Sequence, residues 1–122
     1  FIDVYRNNFR PKEYSENVMN RVVHFMNDNI ESNLKLADFA NFCGYSESYF
    51  YRKFVKETGH SPMDYFTRLK INKACKLLIQ TDMKVNQIAH KLGFKESQYF
   101  SRTFSNVMGL SPMEFRRQNF RL

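Results

Sequence analysis

The chain has 122 residues, 43% hydrophobic and 16% aromatic, and its 13 Phe against 4 Gly and 3 Pro favour a helical core over a turn-rich β fold. Nineteen Lys and Arg oppose 12 acids, for a formal charge of +7 that suits a polyanionic partner. No apolar run approaches the roughly 18 residues of a membrane span, no signal peptide is visible, and Cys43 and Cys75 lie far from any Cys-x-x-Cys pairing, so they read as buried free thiols of a reducing cytosol.

The length suits a single compact domain, or two very small ones sharing a connecting helix. The first residue is Phe1 rather than Met, and Phe1 to Glu13 mixes Asn, Arg, Pro and isolated aromatics without a period. That stretch reads as a linker from an upstream domain, or as an ordered N-terminal arm; residues 14–122 then make the folded part. An amphipathic helix is expected over about Ser15 to Asn29, with Val18, Val22, Phe25 and Met26 on its apolar face.

From there the chain repeats itself. Tyr49-Phe50-Tyr51-Arg52-Lys53-Phe54 aligns with Tyr99-Phe100-Ser101-Arg102-Thr103-Phe104, and the match continues through Gly59/Gly109, Ser61-Pro62-Met63/Ser111-Pro112-Met113 and Asp64/Glu114. Upstream the register differs by one, pairing Leu36, Phe39, Ala40, Cys43 and Gly44 with Val85, Ile88, Ala89, Leu92 and Gly93. One residue was therefore gained or lost between the glycine and the tyrosine.

Leu36, Phe39, Ala40 and Cys43 follow the i, i+3, i+4, i+7 rule of one helical stripe, and Gly44 can take the positive φ that ends a helix. A second helix follows over about Ser46 to Thr58, so residues from about 35 to 59 form a helix-turn-helix unit. The second copy, about 84 to 109, repeats it with a helix over about Lys95 to Met108. Each copy ends in Ser-Pro-Met-Asp/Glu, a cap followed by Pro in the first turn. The first such helix, about Pro62 to Gln80, spans roughly 28 Å at 1.5 Å per residue. Phe66, Leu69, Ala74, Leu77 and Leu78 are expected to tie it to both units. The total is seven helices and no strand, an all-α fold.

At 100° per residue, Phe50, Phe54 and Glu57 share one side of the first unit's second helix, and Ser48, Tyr51, Arg52 and Val55 share the other. In the second unit Phe100, Phe104 and Val107 form the buried stripe, while Gln98, Ser101, Arg102 and Ser105 face away. Both outward faces set small polar residues around one arginine, whose planar fork can donate to guanine O6 and N7; Gln can pair with adenine. Lys35 and Lys84 take the N-cap positions of the units' first helices. A lysine cannot accept the first-turn N–H groups, so those donors stay available to a DNA phosphate, or the position is an indifferent surface one. Lys35, Lys84, Lys56 and Lys95 are the expected phosphate contacts.

The runs Ser48-Tyr49-Phe50-Tyr51-Arg52-Lys53-Phe54, Glu57-Thr58-Gly59-His60-Ser61-Pro62, Gly93-Phe94-Lys95-Glu96-Ser97-Gln98-Tyr99-Phe100-Ser101-Arg102-Thr103-Phe104 and Gly109-Leu110-Ser111-Pro112-Met113-Glu114-Phe115-Arg116 resemble the AraC/XylS family of bacterial transcription regulators. The resemblance covers roughly Ser15 to Gln118. It implies two recognition helices entering successive major-groove segments on one face of duplex DNA, joined by the long helix. It also implies base contacts at Ser48, Tyr51 and Arg52, and at Ser97, Gln98, Ser101 and Arg102. Small Ser48 stands where other members can carry a larger base-contacting residue.

The expected function is thus sequence-specific binding of double-stranded DNA by a bacterial transcription regulator, an activator in first place, in the cytoplasm at the nucleoid. RNA polymerase is a further candidate partner, and dimerisation is expected through the upstream domain. The alternative is a non-specific helical nucleic-acid or protein-interaction module. An enzyme is not expected: Ser61, His24, His60 and His90 sit in no nucleophile elbow, Gly-rich phosphate loop or metal-ligand spacing, and neither a catalytic residue, a metal nor a cofactor is assigned. RNA is disfavoured because its deep major groove excludes such helices and the candidate stacking rings point inward.

Overall fold

The computed structural model describes residues 17–119; the expected linker and the expected start of the first helix at Ser15 lie outside them. Among the described residues there are seven helices and no strand: α1 (Val18–Asp28), α2 (Leu36–Cys43), α3 (Glu47–Thr58), α4 (Pro62–Gln80), α5 (Val85–Lys91), α6 (Ser97–Met108) and α7 (Pro112–Asn119). The chain divides within α4 into two compact units, an N-terminal one ending at Leu69 and a C-terminal one beginning at Lys70.

In the N-terminal unit, the Asn17 side chain opens α1 by accepting the Asn20 N–H at 2.8 Å. The helix buries Met19, Val22, Val23 and Met26, of which Val22 and Met26 are the expected ones. Val18 and Phe25 are only half-buried. Phe25 instead stacks on Phe42, with centroids 4.3 Å apart, and meets Phe39 edge-on at 6.2 Å. Edge-on contacts then carry the core inward, Phe39 to Phe66 at 5.1 Å and Phe54 to Tyr65 at 5.2 Å. Rings meeting edge to face gain electrostatic attraction beyond their buried area.

The C-terminal unit is built on the same plan. Ile88, Ala89, Leu92, Phe94, Phe100, Phe104, Met108 and Phe115 pack with Ile71, Ala74, Cys75 and Leu78 into one core. Phe94 meets Phe100 at 5.1 Å and Phe104 meets Phe115 at 5.6 Å, both edge-on. Helix α7 is held from outside the core: Arg116 donates through Nε to the Leu78 carbonyl at 2.9 Å and through a terminal nitrogen to that of Thr81 at 3.0 Å. Those carbonyls close the last turn of α4, where orphan acceptors need a donor.

The caps of α4 and α7 differ in one respect. At α7 the box is complete, with Ser111 Oγ accepting the Glu114 N–H and Glu114 accepting the Ser111 N–H at 2.8 Å. At α4, Ser61 Oγ accepts from Asp64 N, but the Asp64 carboxylate turns instead to His60 at 3.1 Å and Arg68 at 3.0 Å.

Of the five α4 residues expected to pack inward, Phe66, Leu69, Ala74 and Leu78 are buried and Leu77 is half-buried. Tyr65, Phe66 and Leu69 are buried in its first half, and Ile71, Ala74, Cys75 and Leu78 in its second. At 100° per residue those two sets do not share a side, and Tyr65 and Ile71, which are not among the expected residues, are buried with them. Lys70 is also buried, and its ammonium donates to the Leu92 carbonyl at 2.7 Å.

Both cysteines are free. Burial pushes the Cys75 thiol up to about 12, so it stays neutral and packs as a small hydrophobe. Cys43 is half-buried rather than buried as expected, because its helix ends there; partial burial still raises its thiol, with nearby Arg21 opposing. No described helix is long and apolar enough to cross a membrane.

Candidate nucleic-acid interface

The turn between the two helices is built identically in both units. In the first, the Gly44 N–H donates to the Asn41 carbonyl at 3.1 Å and the Tyr45 N–H to that of Ala40 at 3.0 Å. In the second, Gly93 donates to His90 at 3.0 Å and Phe94 to Ala89 at 2.9 Å. This pair of bonds is a Schellman motif, and it requires a left-handed residue. Gly44 and Gly93 supply it with φ of 75° and 87°. A Cβ added at Gly44 would meet nothing within 4 Å, so the demand for glycine there is one of backbone conformation alone. Ala40 and Ala89, whose carbonyls accept in these turns, are both buried.

The extra residue of the second copy falls just after this turn. Helix α3 is capped by Ser46, two residues beyond its glycine, whereas α6 has Glu96 at the N-cap, three beyond. Lys95 therefore does not begin the helix, as expected, but precedes its cap as an exposed loop residue. Ser46 Oγ accepts the Tyr49 N–H at 3.2 Å, while Glu96 makes no side-chain cap bond.

Each second helix turns two rings inward, Phe50 and Phe54 on α3 and Phe100 and Phe104 on α6, all buried. That fixes the opposite face. On α3, Ser48, Tyr51, Arg52, Val55 and Lys56 are exposed. Arg52 lies between two shallow depressions of the surface: one of about 310 Å³ lined with Leu36, Glu47, Ser48 and Tyr51, the other lined with Tyr49, Lys53, Lys56 and Glu57. Lys53 is engaged with Glu57 at 2.9 Å, which raises its pKa first through that hydrogen bond. Glu57, expected on the buried side, is half-buried and held by this pair.

On α6, Gln98 and Arg102 are exposed, whereas Ser97, Ser101 and Ser105 are half-buried. Ser101 and Ser105, expected to face away with Gln98 and Arg102, are thus less open than those two. The structure thus gathers Ser48, Tyr51 and Arg52 on one helix face, and Gln98, Ser101 and Arg102 on another with Ser97 at its start.

The lysine caps need one correction. Lys35 and Lys84 do take the N-cap positions without accepting a hydrogen bond, since an ammonium carries no lone pair. Each lysine's own N–H, however, is satisfied by the third helical residue, Lys35 by Asp38 at 2.8 Å and Lys84 by Gln87 at 2.9 Å. The Asp38 N–H itself returns to the Lys35 carbonyl at 2.9 Å. At α2 the Asp38 carboxylate already occupies the electropositive end of the helix, and it repels a phosphate there. At α5 the same position is neutral Gln87, so the Lys84 charge is unopposed by its own cap.

Neither Lys70 nor Arg116 has a structural role assigned from the sequence, yet both hold the C-terminal unit in shape. Lys70 had a signal: it lies four residues from both Phe66 and Ala74, on an apolar line where a lysine is out of place. Arg116 had none, because its acceptors are 38 and 35 residues away in sequence.

A family profile described as a helix-turn-helix domain matches residues 39–118, more than half of the chain. The MmsAB operon regulatory protein of Pseudomonas aeruginosa is 38% identical over 94 residues, which are 77% of this chain and 31% of that protein. The chain therefore spans less than a third of that relative. The multiple antibiotic resistance protein MarA of Escherichia coli is 32% identical over 98 residues, 80% of this chain and 77% of MarA. Among solved structures, a transcriptional regulator of Chromobacterium violaceum, described as containing an AraC-type DNA-binding domain, superposes with a TM-score of 0.79 at 33% identity, covering 84% of this chain and 91% of its own. With the repeated turn, the repeated arginine and these matches in agreement, the chain belongs to the AraC-type family of helix-turn-helix DNA-binding domains.

Proposed function

We propose that residues 14–122 are the DNA-reading part of a bacterial transcription regulator, an activator, in which α3 and α6 each enter a major-groove segment of duplex DNA. The observation that carries this reading is the repetition of one exposed arginine, Arg52 and Arg102, at the same place on two helices whose opposite faces are locked by buried phenylalanines. A single polar helix face is ordinarily solvated surface; two built alike in one basic chain favour a ligand with a repeating edge.

In this reading Ser48, Tyr51 and Arg52, with Ser97, Gln98, Ser101 and Arg102, face the bases. Lys56, Lys84 and Lys95 neutralise phosphates, and Lys35 contributes less because Asp38 stands beside it. The regulator acts in the cytoplasm at the nucleoid, performs no catalysis, and meets RNA polymerase at the promoter. Dimerisation belongs to an upstream domain joined through residues 1–13.

The test is a titration of the protein with duplex DNA and duplex RNA between 50 and 200 mM salt. Phosphate neutralisation by several cations predicts that DNA affinity falls by orders of magnitude across that range. A flat salt response, or equal affinity for the RNA duplex, overturns the reading.

A further inference from the structure

The two recognition faces carry the same arginine in opposite settings. At the positions flanking Arg102 the C-terminal unit has Gln98, Ser101 and Ser105. Their counterparts around Arg52 are Ser48, Tyr51 and Val55. Tyr51 is 45% exposed and Val55 36% exposed, one turn apart on the same side of α3. The serines at the corresponding places on α6 are half-buried and polar.

A lone exposed apolar residue on a surface needs no explanation. Here, however, a β-branched valine and a tyrosine ring bracket the one arginine on a face whose repeat partner is wholly polar. Water alone favours a lysine or glutamate at such a position, both on solvation and on helix propensity. In the major groove the feature that rewards an apolar side chain is the thymine C5-methyl group, which projects beside the hydrogen-bonding edges of neighbouring bases.

We infer that α3 reads DNA chiefly through thymine methyl groups packed against Tyr51 and Val55, with Arg52 on an adjacent guanine, whereas α6 reads through hydrogen bonds. Val55 thereby becomes a specificity-determining residue, and the two halves of the recognised site differ in chemistry. The half read by α3 is a guanine flanked by two thymines, and replacing either by cytosine removes a methyl the helix packs on. The inference rests on the proposal that α3 enters the groove.

The experiment exploits deoxyuridine, which differs from thymidine only by that methyl. Selection from random duplexes with the 122-residue protein defines a preferred site, and each thymine of that site is then replaced singly by deoxyuridine. Two replacements are expected to weaken binding about fourfold each, the worth of one buried methyl-sized group. In Val55→Ser, which installs the residue of the other unit, the loss at one of these positions should disappear, and in Tyr51→Ser the loss at the other. Arg102→Ala should leave both losses in place. The Val55→Ser protein should melt with the parent, because the side chain is exposed.

If sequence preference is clear but no thymine responds to loss of its methyl, the inference is overturned while the DNA-reading function stands. Methyl losses that persist unchanged in both serine variants overturn it as well, since another residue then makes the contact. Absence of any sequence preference in the parent overturns the function on which it rests.

Discussion

The ammonium of Lys70, only 7% exposed, donates to the carbonyl oxygen of Leu92 at 2.7 Å. Leu92 is the C-cap of α5, the end at which a helix presents unsatisfied acceptors and negative partial charge. A buried cation is tolerated there because the helix end supplies both the acceptor and the field. The bond pins the turn from which the chain departs toward α6.

Lys70→Met keeps most of the volume and removes the donor. The Leu92 carbonyl then loses a charge-assisted bond, so stability should fall by about 1–3 kcal/mol. Urea unfolding of the two proteins measures this. A more stable methionine variant would show that desolvating the ammonium outweighs the bond it makes.

Phe104→Ala should cost about 3–5 kcal/mol, the range for emptying a buried aromatic site. Phe104 is fully buried and touches both Phe100 and Phe115, so no single neighbour can refill the space. For a small domain with a total of about 5–15 kcal/mol, that is a large share. Loss of DNA binding should therefore parallel loss of helical circular dichroism. Binding lost with an unchanged melting curve would mean the ring itself contacts DNA and the faces of α6 are reversed.

Arg102→Ala and Lys84→Ala should fail differently. A bidentate guanine contact supplies about 1–3 kcal/mol of discrimination, whereas a lysine on phosphate carries no sequence information. In selections from random duplexes, Arg102→Ala should relax one or two positions of the motif. Lys84→Ala should preserve the motif and weaken binding to all sequences alike. A motif unaltered by Arg102→Ala would place direct readout elsewhere.

Glu114 should impart an acid-side pH dependence. The Ser111 backbone N–H first, and its hydroxyl second, hold the Glu114 carboxyl below the usual glutamate range, with Arg117 adding attraction. A folded-state pKa below the unfolded one stabilises the protein above the ordinary value, about 4.3, and that stabilisation is lost as pH falls through the folded value. Glu114→Gln keeps an acceptor but cannot titrate. Its melting temperature should lie below the parent's at neutral pH, and the gap should close on acidification below about pH 4. A gap that widens in acid would reverse the assigned shift.

Much of this architecture is a local property of the chain. Glycine at 44 and 93 sets the turn locally, because positive φ is a condition on that residue alone. The inward rings Phe50, Phe54, Phe100 and Phe104 follow from helical periodicity, and they settle which sides of α3 and α6 remain for a ligand. The repeat doubled each of these signals. What depends on neighbours distant in sequence could not be seen in the same way. The burial of Tyr65 and Ile71 on different sides of α4, the half-burial of the short serines 101 and 105, and the capture of Lys70 and Arg116 by carbonyls 22 to 38 residues away are all set by packing. Even the proposed phosphate contacts divide on such a detail: Lys35 and Lys84 look alike as caps, but the hydrogen bonds of the folded turn place a carboxylate beside the first and a neutral amide beside the second. Periodicity reports which face a helix offers. Only the packed chain decides which polar atoms are already spoken for when DNA arrives.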